Sequence, residues 1–330
     1  MMYDDNDFDG EARQEKPDLQ TTLELLKTGD EHTAALYYGL SDLDSEALEQ
    51  FQDVWITLDD EHRRLIMRHM VEVSEANFEF HYAPVALVVL DDPDPEVRTA
   101  AVEALWESES SAVLNRLLEI AQWDESREVR AAALNGVGRF ILMGELGDFP
   151  EPEALKAQDI VIGILNNEDE EIEVRRRALE AISNCSNDIV EGAIREAYEG
   201  HDRLMQISAV FAMGRAYDEQ WNDIVMRELD SADPEMRYEA ARAAGELMLS
   251  DAIPALSRMA FENDRELQDN AIWSLGEIGG KEAVRVLELL AANARETGDE
   301  DMIEAIEDAL ANASLGGSDL YLMRFEDDEE

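Results

Sequence analysis

Asp94-Pro95-Glu96-Val97-Arg98-Thr99-Ala100-Ala101-Val102-Glu103-Ala104-Leu105 is the stretch that decides the fold. Val97, Ala101, Ala104 and Leu105 stand at offsets 0, 4, 7 and 8, which share one face of an α-helix. Asp94, three residues ahead, is placed to accept from the first backbone N–H groups. Pro95 takes the first helical position, where a missing N–H costs nothing. Alanine at offset 4 lets a second helix approach closely. The stretch therefore predicts a capped helix whose inner face lies tightly against a neighbour.

The same frame returns at Val129, Val174, Met205, Met236 and Leu267, at spacings of 32, 45, 31, 31 and 31 residues. Offset 4 is alanine every time: Ala101, Ala133, Ala178, Ala209, Ala240 and Ala271. Offset 7 is always small (Ala104, Gly136, Ala181, Ala212, Ala243, Ser274), and offset 8 is apolar. The capping position reads Asp94, Ser126, Glu171, Asp202, Asp233 and Asp264, with Glu171 the poor cap. An apolar-periodic segment precedes each capped helix, as in Val113–Ala121, Ile189–Tyr198 and Ile253–Phe261. The unit is a pair of antiparallel helices, too short to bury its own apolar face, so neighbours must stack.

Two weaker units flank the array, Asp59–Met70 and Asp299–Leu310, and their departures suit terminal caps. A further helical pair is expected at Leu19–Leu40. The long spacing marks an insertion near Gly144–Gln158, whose Gly144, Gly147, Pro150 and Pro152 predict an exposed loop. The expected organisation is a polar, disordered acidic N-terminus at 1–18, a helical array at 19–312 and a tail at 313–330. In that tail Gly316-Gly317-Ser318 is expected to break the last helix. The apolar Leu320–Phe325 is expected either to fold back on the last pair or to dock elsewhere through the acidic Glu326–Glu330.

The motif Asp-x-x-Val-Arg-x-x-Ala-x-x-Ala-Leu resembles the HEAT repeat, in the bacterial variety also called PBS-lyase HEAT-like. The resemblance covers roughly residues 59–312. It implies an all-α fold, an α-α superhelix or HEAT-repeat solenoid of about eight helical pairs, similar to acidic HEAT-repeat proteins of unassigned function. In such repeats the arginine one residue after the anchor usually joins a ladder with neighbouring aspartates. Arg98, Arg130, Arg175 and Arg237 match that position, while Gln206 and Gln268 depart from it, so the resemblance implies a ladder interrupted there.

Charge narrows the function. The chain carries 27 Lys and Arg against 78 Asp and Glu, a formal net charge of −51. Nucleic-acid phosphates and anionic membrane surfaces are both repelled by such a chain. Solubility, adaptation to high salt, or attraction of a basic partner would each account for it. No apolar run approaches the length of a membrane span, and acidic Met1–Gly10 does not read as a signal peptide. The expected location is cytoplasmic.

Catalytic patterns are missing. One cysteine, Cys185, excludes an internal disulfide and a cysteine zinc cage, and reads as a small filler. The di-iron hydroxylases of this fold use repeated His-Glu pairs. None of His32, His62, His69, His81 and His201 is followed by Glu. Gly279-Gly280-Lys281 reads as a helix C-cap rather than a phosphate loop. A chromophore-lyase role finds no residue to carry it. No catalytic residue, cofactor or metal is expected.

Offsets 2, 6 and 10 of the second helices project away from the core and form rows. They place Ile207, Phe211, Tyr238 and Trp273 on one surface, with Arg139, Arg176, Arg215 and Arg242. Aromatics with arginine are the usual anchors of interfaces. The sequence thus predicts a monomeric, non-catalytic scaffold or adaptor holding a protein or peptide on its concave face. An acidic chaperone or decoy for a basic protein is the alternative, and a lyase-like or other HEAT-type enzyme a second one.

Overall fold

The computed structural model describes residues 16–28, 33–77, 79–185 and 188–323, the side chains of residue 188 and of 315–323 excepted. Every regular element among them is helical. Contacts divide the chain into two compact units, Met1–Val137 and Gly138–Glu330. The first holds α1 (Leu19–Thr28), α2 (Ala34–Leu40), α3 (Ser45–Trp55), α4 (Asp60–Ala76), α5 (Ala83–Val89), α6 (Pro95–Glu103) and α7 (Ser111–Trp123). Helix α8 (Arg127–Leu146) crosses the boundary. The second unit continues with α9 (Glu151–Leu165), α10 (Ile172–Ala181), α11 (Asp188–Glu199), α12 (Arg203–Arg215), α13 (Asn222–Glu228) and α14 (Pro234–Glu246). It ends with α15 (Ile253–Met259), α16 (Arg265–Ile278), α17 (Gly280–Thr297) and α18 (Glu300–Met323). Helices pair as α1 with α2 and α5 with α6 in the first unit and as α9 with α10 through α17 with α18 in the second, and even ones stack in series: α4 on α6 in the first unit; α10 on α12, α12 on α14, α14 on α16 and α16 on α18 in the second. The all-α solenoid expected from the repeat is therefore present.

The repeat frame is the core. All six offset-4 alanines are fully buried, and the anchors and offset-8 residues with them. The caps act as expected. Asp94, Asp202, Asp233 and Asp264 each accept from a first-turn N–H, whereas Glu171 makes no side-chain cap bond. Arg64 bonds Asp94 through Nε at 2.9 Å and holds that carboxyl below the usual carboxylate range.

The residue at offset 1 has a common task that its charge conceals. Arg98, Arg130 and Arg237 each donate to the carbonyl six residues earlier, on Asp92, Asp124 and Ser231, at 2.8, 2.8 and 3.2 Å. Gln206 and Gln268 do the same to Gly200 and Glu262, at 3.0 and 2.5 Å. Arg175, after a longer turn, reaches the Leu165 carbonyl at 2.9 Å. These donors satisfy carbonyls in the turn just past the preceding helix or, for Leu165, at its last residue, where no helical N–H follows to bond them. The acidic pairing is added on top, between Arg98 and Asp124 at 2.7 Å and between Arg237 and Glu262 at 3.3 Å. Glutamine therefore breaks the charge ladder and keeps the turn closure.

A second row sets how near the helices come. Gly138, Gly214, Gly245 and Gly276 all stand at offset 9. A Cβ on each would lie within about 3 Å of the small offset-7 residue of the next unit: Ala181, Ala243, Ser274 and Ala309. Backbone thus meets backbone between successive even helices.

Two expectations about breaks are corrected. The insertion does not form a loop, because α8 runs on to Leu146 and α9 begins at Glu151. Its punctuating residues act at helix ends or in a packed contact. Gly147 adopts φ 82° just past α8, Pro152 stands in the first turn of α9, and Gly144 is where α8 lies against Ala154. Likewise α18 passes through Gly316-Gly317-Ser318 to Met323. Glycine costs about 1 kcal/mol in a helix but forbids nothing. The side chains of Leu320–Phe325 and most of 1–18 lie outside the described residues.

Candidate functional site

The second unit gathers most of the nominated surface on α10, α12, α14 and α16. Arg176 donates from Nε to Ser208 Oγ at 3.0 Å and pairs with Glu173 at 3.3 Å and Glu180 at 3.7 Å. Ser208 in turn donates to Glu180 at 2.5 Å. On the next helices Arg215 and Arg242 converge on one carboxylate, Glu246, at 3.0 and 3.3 Å. Both guanidiniums also cover the Phe211 ring, Arg242 at 4.6 Å and Arg215 at 5.7 Å from its centroid. Arg139 lies apart from this group, stacked on Phe140 at 4.6 Å. Ile207 is corrected outright. At 1 % exposure it belongs to the core, because the tight approach of neighbouring even helices closes over offset 2 at that helix.

Arg176, Arg215 and Arg242 are thus engaged in internal pairs, and Trp273 beside them faces outward more fully. An open cleft of about 750 Å³ lies over α12, α14 and α16. Four nominated residues line it: Arg215, Tyr238, Arg242 and Trp273. Trp273 is the most exposed of the described nominees, at 41 %. Helix α16 is tied to α14 beneath it, since Asn270 donates to the Tyr238 carbonyl at 2.7 Å and Ser274 to the Ala241 carbonyl at 2.9 Å. The carboxylates Glu246, Glu266, Asp269 and Glu277 complete the wall.

Sequence reading missed two lining residues, Tyr217 and Met248. Both stand at offset 12, in the turns after α12 and α14, with φ of 48° and 51°. The left-handed region favours glycine, and the equivalent residue after α16 is Gly279 with φ 62°. Large, exposed apolar side chains are thus held at turn positions where glycine would be unstrained. The available signal was a bulky residue where a helix-ending glycine belongs.

One group beneath the surface is electrostatically costly. The Glu239 carboxyl is pushed up to about 7, chiefly by burial; Arg242 and Arg176 oppose the shift, while Glu180 and Glu246 add to it. Its Oε2 is buried without a hydrogen-bond partner. Glu246 is also raised by burial, against the pull of Arg215 and Arg242.

Cys185 is buried and its thiol is pushed up to about 12, first by desolvation and then by Glu145, which leaves no nucleophile at neutral pH. His69 bonds Glu72 at 2.9 Å, and His32 lies outside the described residues. Among the described residues no three His, Cys, Asp or Glu side chains converge as a metal cage, and no helix is long and apolar enough to cross a membrane.

The family model described as HEAT repeats matches residues 53–138, 83–157 and 222–311, more than half of the chain in all. Deoxyhypusine hydroxylase of Drosophila melanogaster is 30 % identical over 118 residues, which make up 35 % of this chain and 39 % of that protein. The same enzyme of Drosophila pseudoobscura pseudoobscura is 28 % identical over an equal length. The chain thus matches about two fifths of the length of these curated relatives. Among solved structures, a chain of the complex of CpcE and CpcF of phycocyanin lyase from Nostoc sp. PCC7120 superposes with a TM-score of 0.46 at 16 % identity, over 70 % of this chain and 94 % of its own. Human deoxyhypusine hydroxylase in complex with glycerol gives 0.35 at 15 %, over 90 % and 96 %. Such likenesses do not bear on function.

Proposed function

The chain belongs to the HEAT-repeat family, and from that premise we propose that it is a non-catalytic scaffold holding a protein or peptide partner on the face built by α12, α14 and α16. The observation that carries this reading is the cleft itself. It combines exposed Trp273, Tyr217 and Met248 and half-buried Tyr238 with a polar surround, and α16 is fixed to α14 by side-chain-to-backbone bonds. Large aromatics in a concave, rigid setting are the groups on which interface energy concentrates. The excess of acid over the rest of the chain suppresses unwanted association, nucleic acid and anionic membranes included. A monomer acting in the cytoplasm is part of the same proposal.

The test is affinity capture from the native host with the wild-type chain and with the double variant Tyr238→Ala, Trp273→Ala. Each truncation at an anchor removes about 2 kcal/mol of binding, so the double variant should lose the partner while its helical circular dichroism stays unchanged. Undiminished capture would remove the assignment of this face.

A second reading, an enzyme of the hydroxylase type, draws its support from the partial sequence match to deoxyhypusine hydroxylase. Elemental analysis of the purified chain separates the two: a tightly held metal at one or more equivalents argues for the enzyme. An acidic decoy for a basic protein predicts instead that affinity collapses with added salt, since such attraction is screened.

A further inference from the structure

We propose that the cleft over α12, α14 and α16 receives the guanidinium of an arginine carried on an extended peptide segment. The proposal rests on the reading of this face as a binding surface and adds the chemistry of what binds. Four facts point the same way. The two arginines in the lining are drawn inward, because Glu246 pairs with both, at 3.0 and 3.3 Å, and Phe211 lies under them. Carboxylates outnumber arginines in the wall by four to two, and while Arg265 holds Asp269 at 3.0 Å, Glu266 is exposed at the rim. The aromatic surface offered beside it is Trp273 and Tyr238, and the face of a Trp ring is the best partner among side chains for a cation. Finally, Tyr217 and Met248 are held in left-handed turns at the edge, where they can flank the methylenes of a long side chain.

Arginine fits better than lysine. Its flat guanidinium stacks on an indole while its edge still donates in parallel to a carboxylate such as Glu266. A chain of net charge −51 also draws cationic segments toward its surface before any specific contact forms. The cleft supplies the selection that this general attraction lacks.

The experiment is calorimetric titration of the full chain with acetyl-Gly-Arg-Gly-Arg-Gly amide and with its citrulline counterpart, which keeps shape and removes charge. Salt is set at about 0.5 M so that long-range attraction is screened. The arginine peptide should bind at least about tenfold more tightly than the citrulline peptide, and Trp273→Ala should weaken it by about tenfold. Glu266→Gln, an exposed substitution with no demand on folding, should weaken it by about threefold. Equal affinity for the two peptides, no binding of the arginine peptide up to about 1 mM, or unchanged affinity in both variants overturns the proposal. The two levels fail separately. If the Tyr238→Ala, Trp273→Ala variant loses its captured partner but the arginine peptide does not bind, the surface stands and the cation assignment falls. If capture survives the double variant, both fall.

Discussion

Helices α6 and α14 begin on the same Asp-Pro cap, at Asp94-Pro95 and Asp233-Pro234, and close the turn before them with an arginine at offset 1. Both bury offsets 0, 4, 7 and 8. They part at the remaining positions. Offsets 2, 3, 6 and 9 read Thr99, Ala100, Glu103 and Trp106 in the first unit, against Tyr238, Glu239, Arg242 and Gly245 in the second. Helix α6 stops at Glu103, and Trp106 lies in the turn beyond, where its indole N–H donates to Ser74 at 3.1 Å. Helix α14 runs on to Glu246, and Gly245 lets it lie directly against Ser274. Positions that meet a neighbour are set by packing and hardly vary. Positions on the outward rows are released from that duty, and there one helix carries solvent-facing polar groups while the other builds the floor of a cleft.

The comparison breaks most visibly at offset 9. Gly245→Trp imports the residue of α6 into α14. A side chain there must displace the Ser274 backbone, whose Cα would lie 2.9 Å from a new Cβ. Overpacking of this kind should cost about 3 kcal/mol, read as a lowered urea midpoint. A midpoint equal to that of the wild type would mean that the two helices do not approach as closely as the glycine row requires.

A pH-dependent effect of similar size sharpens the contrast at offset 3, where α6 has Ala100 and α14 has Glu239. With its folded value near 7 and an ordinary value of 4.5, Glu239 favours the folded state while protonated. That contribution is complete below about pH 4.5 and is lost as pH climbs to about 7. Glu239→Gln should therefore match the wild type in stability near pH 4.5 and exceed it by about 3 kcal/mol near pH 8. Burial sets this response first, and the charges that modify it are Arg176 and Glu180 on α10 and Arg242 and Glu246 on α14. A stability difference that is the same at both pH values would show that Glu239 is not ionising in a buried place.

The smallest effect concerns what the two helices share. If offset 1 works by closing a turn and not by its charge, Gln206→Arg should be neutral. Gln206→Ala should lose about 1 kcal/mol with its two hydrogen bonds, to the carbonyls of Tyr198 and Gly200. A neutral Gln206→Ala would leave the turn closure without energetic weight.

Much of this architecture could be read from the chain because packing imposes one constraint on each repeat. Alanine at offset 4, a small residue at 7 and a capping oxygen at −3 have single physical causes, and even the weak cap at Glu171 was visible. The errors fall where a residue has two possible uses. Gly147 and Pro152 read as loop formers and act as helix ends. Gly144 also reads as a loop former but lies inside α8 and marks a close approach to Ala154. Ile207 stood at an outward offset and was covered because helix separation, which decides burial there, is set by the glycines at offset 9, Gly214 on the same helix among them. The arginines looked available because pairing with Glu246, Glu180 and Glu173 depends on distances between helices. Tyr238 and Trp273 were recoverable from periodicity alone. Tyr217 and Met248 were not, since their placement follows from a backbone handedness that their side chains disfavour.

The clasp at offset 1 has a bearing on how such chains grow. Cap, clasp and docking glycine are all encoded within one stretch of about thirty residues; the cap and the clasp close within their own repeat, and the glycine reaches only a neighbour of the same design. A gene segment of that length, copied in frame, would arrive with its own means of ending one helix, starting the next and seating on the copy before it. The outward rows of the duplicate would then be at liberty to drift toward a new recognition task while the joint between copies stayed intact.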